Sequence, residues 1–298
     1  GLIADLETCA QQWSEHGELD PTLVLGSVDT SSRLQFEDDI WGRSSELETL
    51  RSVFHNVQSS SGSRLVLVSG PPGIGKSALA ARLRSDALEA GGYFIRGKFD
   101  PFRKDQAMLG FSAAIESLAE QLLTESPARL ELWSQRLREA LGSIARVMVD
   151  LAPALAPLLP TLEPLPVVGA EQGQRRLISA LERFIGVFAQ ETHPLIMVLD
   201  DLEWADPGSI QLIEELMHSS LHAHLLIVGT HRDHDPGTLR RITNLCERLG
   251  ETQAAFTLLK LGPLPHAATH AWLAQLLGRS LEDTGDLAAR VSRTTNDN

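Results

Sequence analysis

The sequence predicts an α/β protein, a three-layer sandwich with a mostly parallel sheet, and three observations carry that prediction. Unbroken apolar runs at Leu65-Val66-Leu67-Val68, Leu195-Ile196-Met197-Val198-Leu199 and Leu225-Leu226-Ile227-Val228 are bounded by turn residues, as in strands buried on both faces. Helical periodicity fills the intervals between them, so the strands need right-handed crossovers rather than hairpins. A glycine-rich loop joins the first run to a helix, and ligands of such a sheet sit at the carboxyl ends of its strands.

The elements follow in order. Ile3, Leu6, Cys9, Ala10 and Trp13 repeat at helical spacing and Gly17 stops them, whereas residues 20–39, with Pro21, Gly26 and scattered Ser and Thr, read as an extended connector. Ser45 with Glu48 forms a capping-box pattern ahead of Leu47, Leu50, Val53, Phe54 and Val57. After the first strand a helix is expected over 76–89, then a strand at Tyr93-Phe94-Ile95 and a helical region over 107–159 broken at Pro127 and Pro153. A Pro-rich turn at 160–166 leads to a helix over 174–190 and the second apolar run. Asp206-Pro207 caps the helix that carries Ile210, Leu212, Ile213 and Leu216, and a last strand is expected at 256–261.

Composition narrows the function classes. At 298 residues and 43% hydrophobic content the chain is long enough to bury a substantial core. Twenty-six Lys and Arg against 39 Asp and Glu give a net charge of −13, which repels a phosphate backbone and argues against nucleic-acid contact by this segment. Cys9 and Cys246 stand far apart in no metal-ligand spacing, so neither a disulfide nor a zinc site is expected. His218, His222, His224, His231 and His234 crowd into one stretch, but they span a helix end, a strand start and a loop and so point different ways. No apolar stretch reaches the length of a membrane span and no leader pattern opens the chain, which reads as cytoplasmic. Gly1 at the start and the unstopped end at Asn298 read as a segment of a longer polypeptide.

The chemistry is concentrated at two places. Gly70-Pro71-Pro72-Gly73-Ile74-Gly75-Lys76-Ser77 matches G-x-x-x-x-G-K-[ST] in the strand–loop–helix setting that the phosphate loop requires. Its glycines let backbone N–H groups wrap a polyanion; Lys76 reaches the β- and γ-phosphates, Ser77 ligates Mg²⁺ and Ala78 counts with the nucleotide-binding residues. Asp200-Asp201 leave the end of a buried strand, where Asp200 holds Mg²⁺ through its water shell and Asp201 polarises the attacking water. Thr230 or Arg232, beyond the next apolar strand, is placed to sense the γ-phosphate, unless Arg232 pairs with Asp233 or Asp235 on the surface. Trp204 either shapes the rim of the site or fills a gap beneath the loop.

Trp41-Gly42-Arg43-Ser44-Ser45-Glu46-Leu47, the phosphate loop and Leu199-Asp200-Asp201-Leu202-Glu203-Trp204-Ala205-Asp206 together resemble the STAND class of AAA-like P-loop ATPases found in large bacterial signalling proteins. The resemblance covers residues 41–298 and implies the P-loop NTPase form of the α/β sandwich, with the start of a C-terminal helical lid. It counts Gly42 and Arg43 of the opening G-R motif with the nucleotide site, matches Arg232-Asp233 to the family's R-D, and sets Pro263 where a family proline approaches the base. Ser44 stands where the family has an acid. Asp201 stands where fast ATPases have glutamate, which implies slow turnover.

Residues 1–43 look like the connector after a serine/threonine kinase domain in hybrid kinase–ATPase–sensor histidine kinase proteins. Gly97-Lys98-Phe99-Asp100 is similar to their segment after the second strand. The implied organisation is a helix and connector at 1–40, the ATPase core at 41–262 and a truncated lid at 263–298. The implied activity is ATP–Mg²⁺ binding and slow hydrolysis as a signalling switch, with ATP preferred over GTP. Implied partners are ATP or ADP, flanking kinase and histidine-kinase domains of the same polypeptide, and further copies in nucleotide-dependent self-association. Two other readings stand beside it: a non-hydrolysing nucleotide-bound scaffold, and the ATPase module of a transcription regulator.

Overall fold

The computed structural model describes residues 2–17, 41–59, 62–103, 106–159, 163–219, 223–233, 236–251 and 254–295. The connector expected at 20–39, and His222, His234 and Asp235, lie outside the described residues. The chain divides into two units, Gly1–Gly42 with Pro263–Asn298, and Arg43–Gly262.

In the larger unit, α2 (Ser44–Ser59) precedes β1 (Arg64–Ser69), the phosphate loop and the helices α3 (Lys76–Ala81) and α4 (Leu83–Glu89). Next come β2 (Tyr93–Lys98), α5 (Leu109–Leu123), α6 (Pro127–Leu141), α7 (Ala145–Leu151) and α8 (Ala170–Phe188). β3 (Leu195–Asp200), α9 (Pro207–His218), β4 (Leu225–His231), α10 (Pro236–Glu251) and β5 (Phe256–Lys260) complete it. The five strands form one sheet in the order β2-β3-β4-β1-β5, and every pairing is parallel.

The strands bury themselves as their composition requires. All six residues of β3 and all seven of β4 are buried, because helices cover both faces of these central strands. β5 is an edge and its Leu258 is exposed. β2 and α5 approach closely through two glycines: a Cβ at Gly97 would run into the Gly110 carbonyl, and one at Gly110 would lie 2.6 Å from the Phe99 ring. That fit fixes the backbone of the strand carrying Arg96 and Lys98.

Several elements differ from expectation for local reasons. The helix expected over 76–89 is two helices, because at Arg82 the hydrogen bond shortens to the carbonyl of Leu79, 3.2 Å away. Ser45 forms no capping box. α2 already begins at Ser44, and the Ser45 hydroxyl donates to Glu46 Oε2 at 2.7 Å. The helix expected over 174–190 is Ala170–Phe188, and the 107–159 region breaks at Gly142 (φ 53°) as well as before Pro127 and Pro153. Asp206 caps α9 as expected: its Oδ1 accepts from Ser209 N at 3.0 Å, with Pro207 in the first turn.

In the smaller unit, α1 (Leu2–His16) ends at Gly17 in a left-handed conformation, and α11 (His266–Leu277) ends at Gly278 in the same way. α12 (Leu281–Thr295) packs on α11 and buries Thr284 and Ala288. No described helix is long and apolar enough to cross a membrane.

Candidate functional site

Three neighbouring strands end at one edge of the sheet. β1 runs into the loop Gly70–Ser77, β3 ends in Asp200, and β4, hydrogen-bonded between them, ends at His231. The parallel register sets Ser69 beside His231, and Lys98 of β2 beside Asp200. Residues more than 100 positions apart therefore converge without any loop having to search for the geometry.

The loop turns through Gly73 (φ 81°) and Gly75 (φ 96°), conformations in which a side chain would be strained. Lys76 is buried, and its Nζ donates to the carbonyls of Gly70 and Pro71, both at 2.8 Å. An ammonium has three N–H groups, so one remains for a ligand. Burial lowers the Lys76 pKa, and the negative charges of Glu203 and Asp201 oppose that shift. Arg43 braces the loop from behind: Nη2 donates to Gly262 O at 2.5 Å and to Ile74 O at 3.5 Å, and Nη1 to Glu46 Oε1 at 3.0 Å. Pro71, Pro72 and Ile74 form the body of the loop, with Ile74 buried, and Ala78 lies in the first turn of α3. Gly42 (φ 64°) and Pro263 belong to the other unit.

Asp200 is 1% exposed, and a buried carboxylate needs a paired charge or hydrogen bonds to offset its lost hydration. Oδ1 accepts from Ser77 Oγ at 2.7 Å and from Thr230 Oγ1 at 2.9 Å. Oδ2 accepts from Arg96 Nε at 2.6 Å and lies 2.5 Å from Arg96 Nη2. Asp201 follows in a left-handed conformation (φ 59°); its N–H donates to Thr230 Oγ1 at 3.1 Å and its Oδ2 pairs with Lys98 Nζ at 3.1 Å. Thr230 is thus tied to both acids.

Arg232 pairs with Glu203, its Nε 2.9 Å from Oε1; Asp235, one of the two acids that the sequence offered it, lies outside the described residues. Glu203 is buried, and neither of its oxygens receives a well-directed hydrogen bond, so charge alone holds the pair. Arg241 of α10 fixes the same turn through its backbone, donating to Glu203 O at 2.7 Å and Ala205 O at 3.2 Å. His231 is also buried, which lowers its pKa against the pull of the Arg232 carbonyl and Glu203. Trp204 is half-buried against the core beneath this turn.

Sequence reasoning found the loop and the acid pair but missed Arg96, Lys98, Glu203 and Arg241. Arg96 and Lys98 carried a legible signal, two cations at period two in an otherwise buried strand. Glu203 lay in plain view inside Asp-Asp-Leu-Glu, but an acid in a turn carries no sign of its burial. Among the described residues, no group of three or more His, Cys, Asp or Glu could hold a metal; His218 and His224 instead bond the carbonyls of Glu214 and Val57.

The arrangement suits a phosphorylated ligand with Mg²⁺. The Ser77 hydroxyl and Asp200 carboxylate are hard oxygen donors on adjacent elements, the kind Mg²⁺ takes directly or through its waters. A bound Mg²⁺ would neutralise phosphate charge; Ser77 would contact it, Asp200 would hold its waters and Lys76 would approach the phosphates.

Comparisons with known proteins give the family. Residues 40–228 match the model of a family described as AAA ATPase domain. The hybrid signal transduction histidine kinase G of Dictyostelium discoideum is 33% identical over 202 residues, covering 66% of this chain and 6% of that protein. Among solved structures, the Pyrobaculum aerophilum Cdc6p aligns at a TM-score of 0.46 and 16% identity, over 86% of this chain and 54% of its own. The Aeropyrum pernix ORC1 protein in complex with DNA aligns at 0.42 and 17% identity, over 80% and 50%. The family match spans more than half of the chain and takes in both the phosphate-loop strand and the acid-bearing strand; this chain belongs to the AAA ATPase domain family.

Proposed function

We propose that this chain binds ATP with Mg²⁺ and hydrolyses it slowly, as a nucleotide-dependent switch of the STAND type within a larger signalling polypeptide. The observation that carries the reading is the Ser77 Oγ to Asp200 Oδ1 contact of 2.7 Å, which joins the phosphate loop to the acidic strand across 123 positions. In this reading Lys76 neutralises the phosphates, Asp201 orients the attacking water, and Arg232, held by Glu203, faces the charge that develops on the transferred group. Lys98 restrains Asp201, which accords with slow turnover. The signalling role is supported by the histidine kinase similarity, of which this chain spans only 6%. Flanking kinase domains and self-association belong to that same proposal.

The test is Mg²⁺-dependent ATP binding and single-turnover hydrolysis in the wild-type chain, Lys76→Ala and Asp201→Asn. Lys76→Ala is expected to weaken binding about a hundredfold, roughly what losing a buried charge-assisted contact costs. Asp201→Asn is expected to bind normally and to turn over at least about a hundredfold more slowly. Binding with no wild-type turnover would instead leave the nucleotide-bound scaffold, and no binding would end the nucleotide reading.

A further inference from the structure

We propose that Arg96 controls metal occupancy at Asp200, because its guanidinium and hydrated Mg²⁺ draw on the same carboxylate oxygen. This rests on the nucleotide–Mg²⁺ reading of the site and adds to it a residue of β2, outside both sequence motifs.

The two oxygens of Asp200 are used differently. Oδ1 is shared by Ser77 and Thr230, hydroxyls on elements that do not shift without moving the phosphate loop or the centre of the sheet. Oδ2 belongs to Arg96, through both Nε and Nη2. A hydrated Mg²⁺ held beside Ser77 needs lone pairs of Asp200 for its waters, and those of Oδ2 are the ones engaged by a displaceable cation.

Arg96 is built to be displaced. It stands opposite Val198, so it reaches Asp200 as the diagonal cross-strand neighbour on the same face. Asp200 is 1% exposed, whereas the Arg96 side chain is 45% exposed, so the guanidinium can swing into water at little desolvation cost while the carboxylate stays in place. The strand itself cannot retreat, because Gly97 is packed against Gly110 of α5. Exchange therefore involves the side chain alone, and metal binding carries the cost of releasing one ion pair. Lys98 holds the neighbouring acid, Asp201, so a guanidinium leaving Asp200 meets a carboxylate already paired.

The experiment titrates Mg²⁺ into the full chain with fluorescently labelled ADP, which separates binding from turnover, and reads nucleotide affinity in EDTA as the metal-free baseline. Arg96→Gln is expected to lower the Mg²⁺ concentration at half-saturation about five- to tenfold, in line with a part-exposed charged pair, and to leave the EDTA baseline within about twofold. Arg96→Lys keeps the cation but loses the two-point grip of Nε and Nη2, and its half-saturation is expected to fall between those of wild type and Arg96→Gln. A half-saturation in Arg96→Gln that is unchanged or raised overturns the proposal.

A second measurement needs no variant: butanedione modification of Arg96 in the wild-type chain, followed by peptide mass spectrometry, should speed up when Mg²⁺ and ADP are added. An unchanged or slower rate overturns the proposal. If wild-type chain binds labelled ADP with no response to Mg²⁺, the metal reading of Ser77 and Asp200 falls together with this one. A normal wild-type response with no effect of Arg96→Gln sinks the Arg96 role alone.

Discussion

The two ends of the sheet solve opposite problems with the same strands. At the amino end, Tyr93 and Trp133 meet edge to face with ring centroids 5.9 Å apart, Trp133 and Phe188 lie at 4.9 Å, and His193 packs edge-on to Trp133 at 5.4 Å. At the carboxyl end, Lys76, Asp200, Glu203 and His231 are buried in place of such rings. β2 contributes to both: Tyr93 joins the aromatic plug, while Arg96 and Lys98 reach the acids three to five residues later. The difference teaches that stability and chemistry are separated along the strands. The aromatic end buries large area without charge, whereas the charged end loses hydration and recovers it only as far as its partners allow.

Breaking the apolar end should have the largest effect. Trp133→Ala is expected to cost about 3–5 kcal/mol of unfolding free energy in urea, because a fully buried ring leaves a cavity between α6 and α8. Nucleotide affinity of the molecules that remain folded should not change. A loss below about 1 kcal/mol would mean that the plug relaxes into the space and is not the anchor of the sheet.

At the charged end the sign should differ. Glu203→Gln removes a buried charge that has no well-directed hydrogen bond and frees an Arg232 that is 39% exposed and can be hydrated. Stability is expected to stay within about 1 kcal/mol of wild type, while single-turnover hydrolysis slows about ten- to a hundredfold. A strongly destabilised variant with full turnover would reverse the comparison and make Glu203 a structural anchor.

The smallest effect is a pH slope. Burial holds the His231 imidazole neutral, so its folded pKa lies below the ordinary value of 6.5. The unfolded chain then binds the proton first; the stability that the neutral ring contributes is complete above pH 6.5 and declines as pH falls below it. Urea midpoints of wild type should drop through that window, and His231→Gln should flatten the drop. An identical slope in both proteins would assign the acid sensitivity to other groups.

How much of this was legible beforehand depends on whether each signal was contiguous. The phosphate loop is eight consecutive residues between an apolar run and a helix, and it folds where it was read. Asp206-Pro207 is likewise local, since an N-cap and a first-turn proline need only their own helix. Ser45 and Glu48 fit a capping pattern equally well and form none, because α2 already starts at Ser44, with the Arg43 carbonyl accepting from Leu47 N. A local pattern of that kind holds only where no distant contact claims the same residues.

The sequence by itself determined that a phosphate loop follows one buried strand and an acid pair follows another, because strand apolarity, glycine conformation and helix capping act over a few neighbouring residues. Only the tertiary structure decided which charges meet. Arg96 reaches Asp200 across 104 positions, Thr230 reaches it across 30, and Arg241 grips the Glu203 carbonyl across 38. The two pairs at Asp200 are fixed by strand order and register and the third by the placement of α10, and a carboxylate such as Glu203 acquires its burial, and with it its electrostatic strength, only when the sheet and its covering helices close around it.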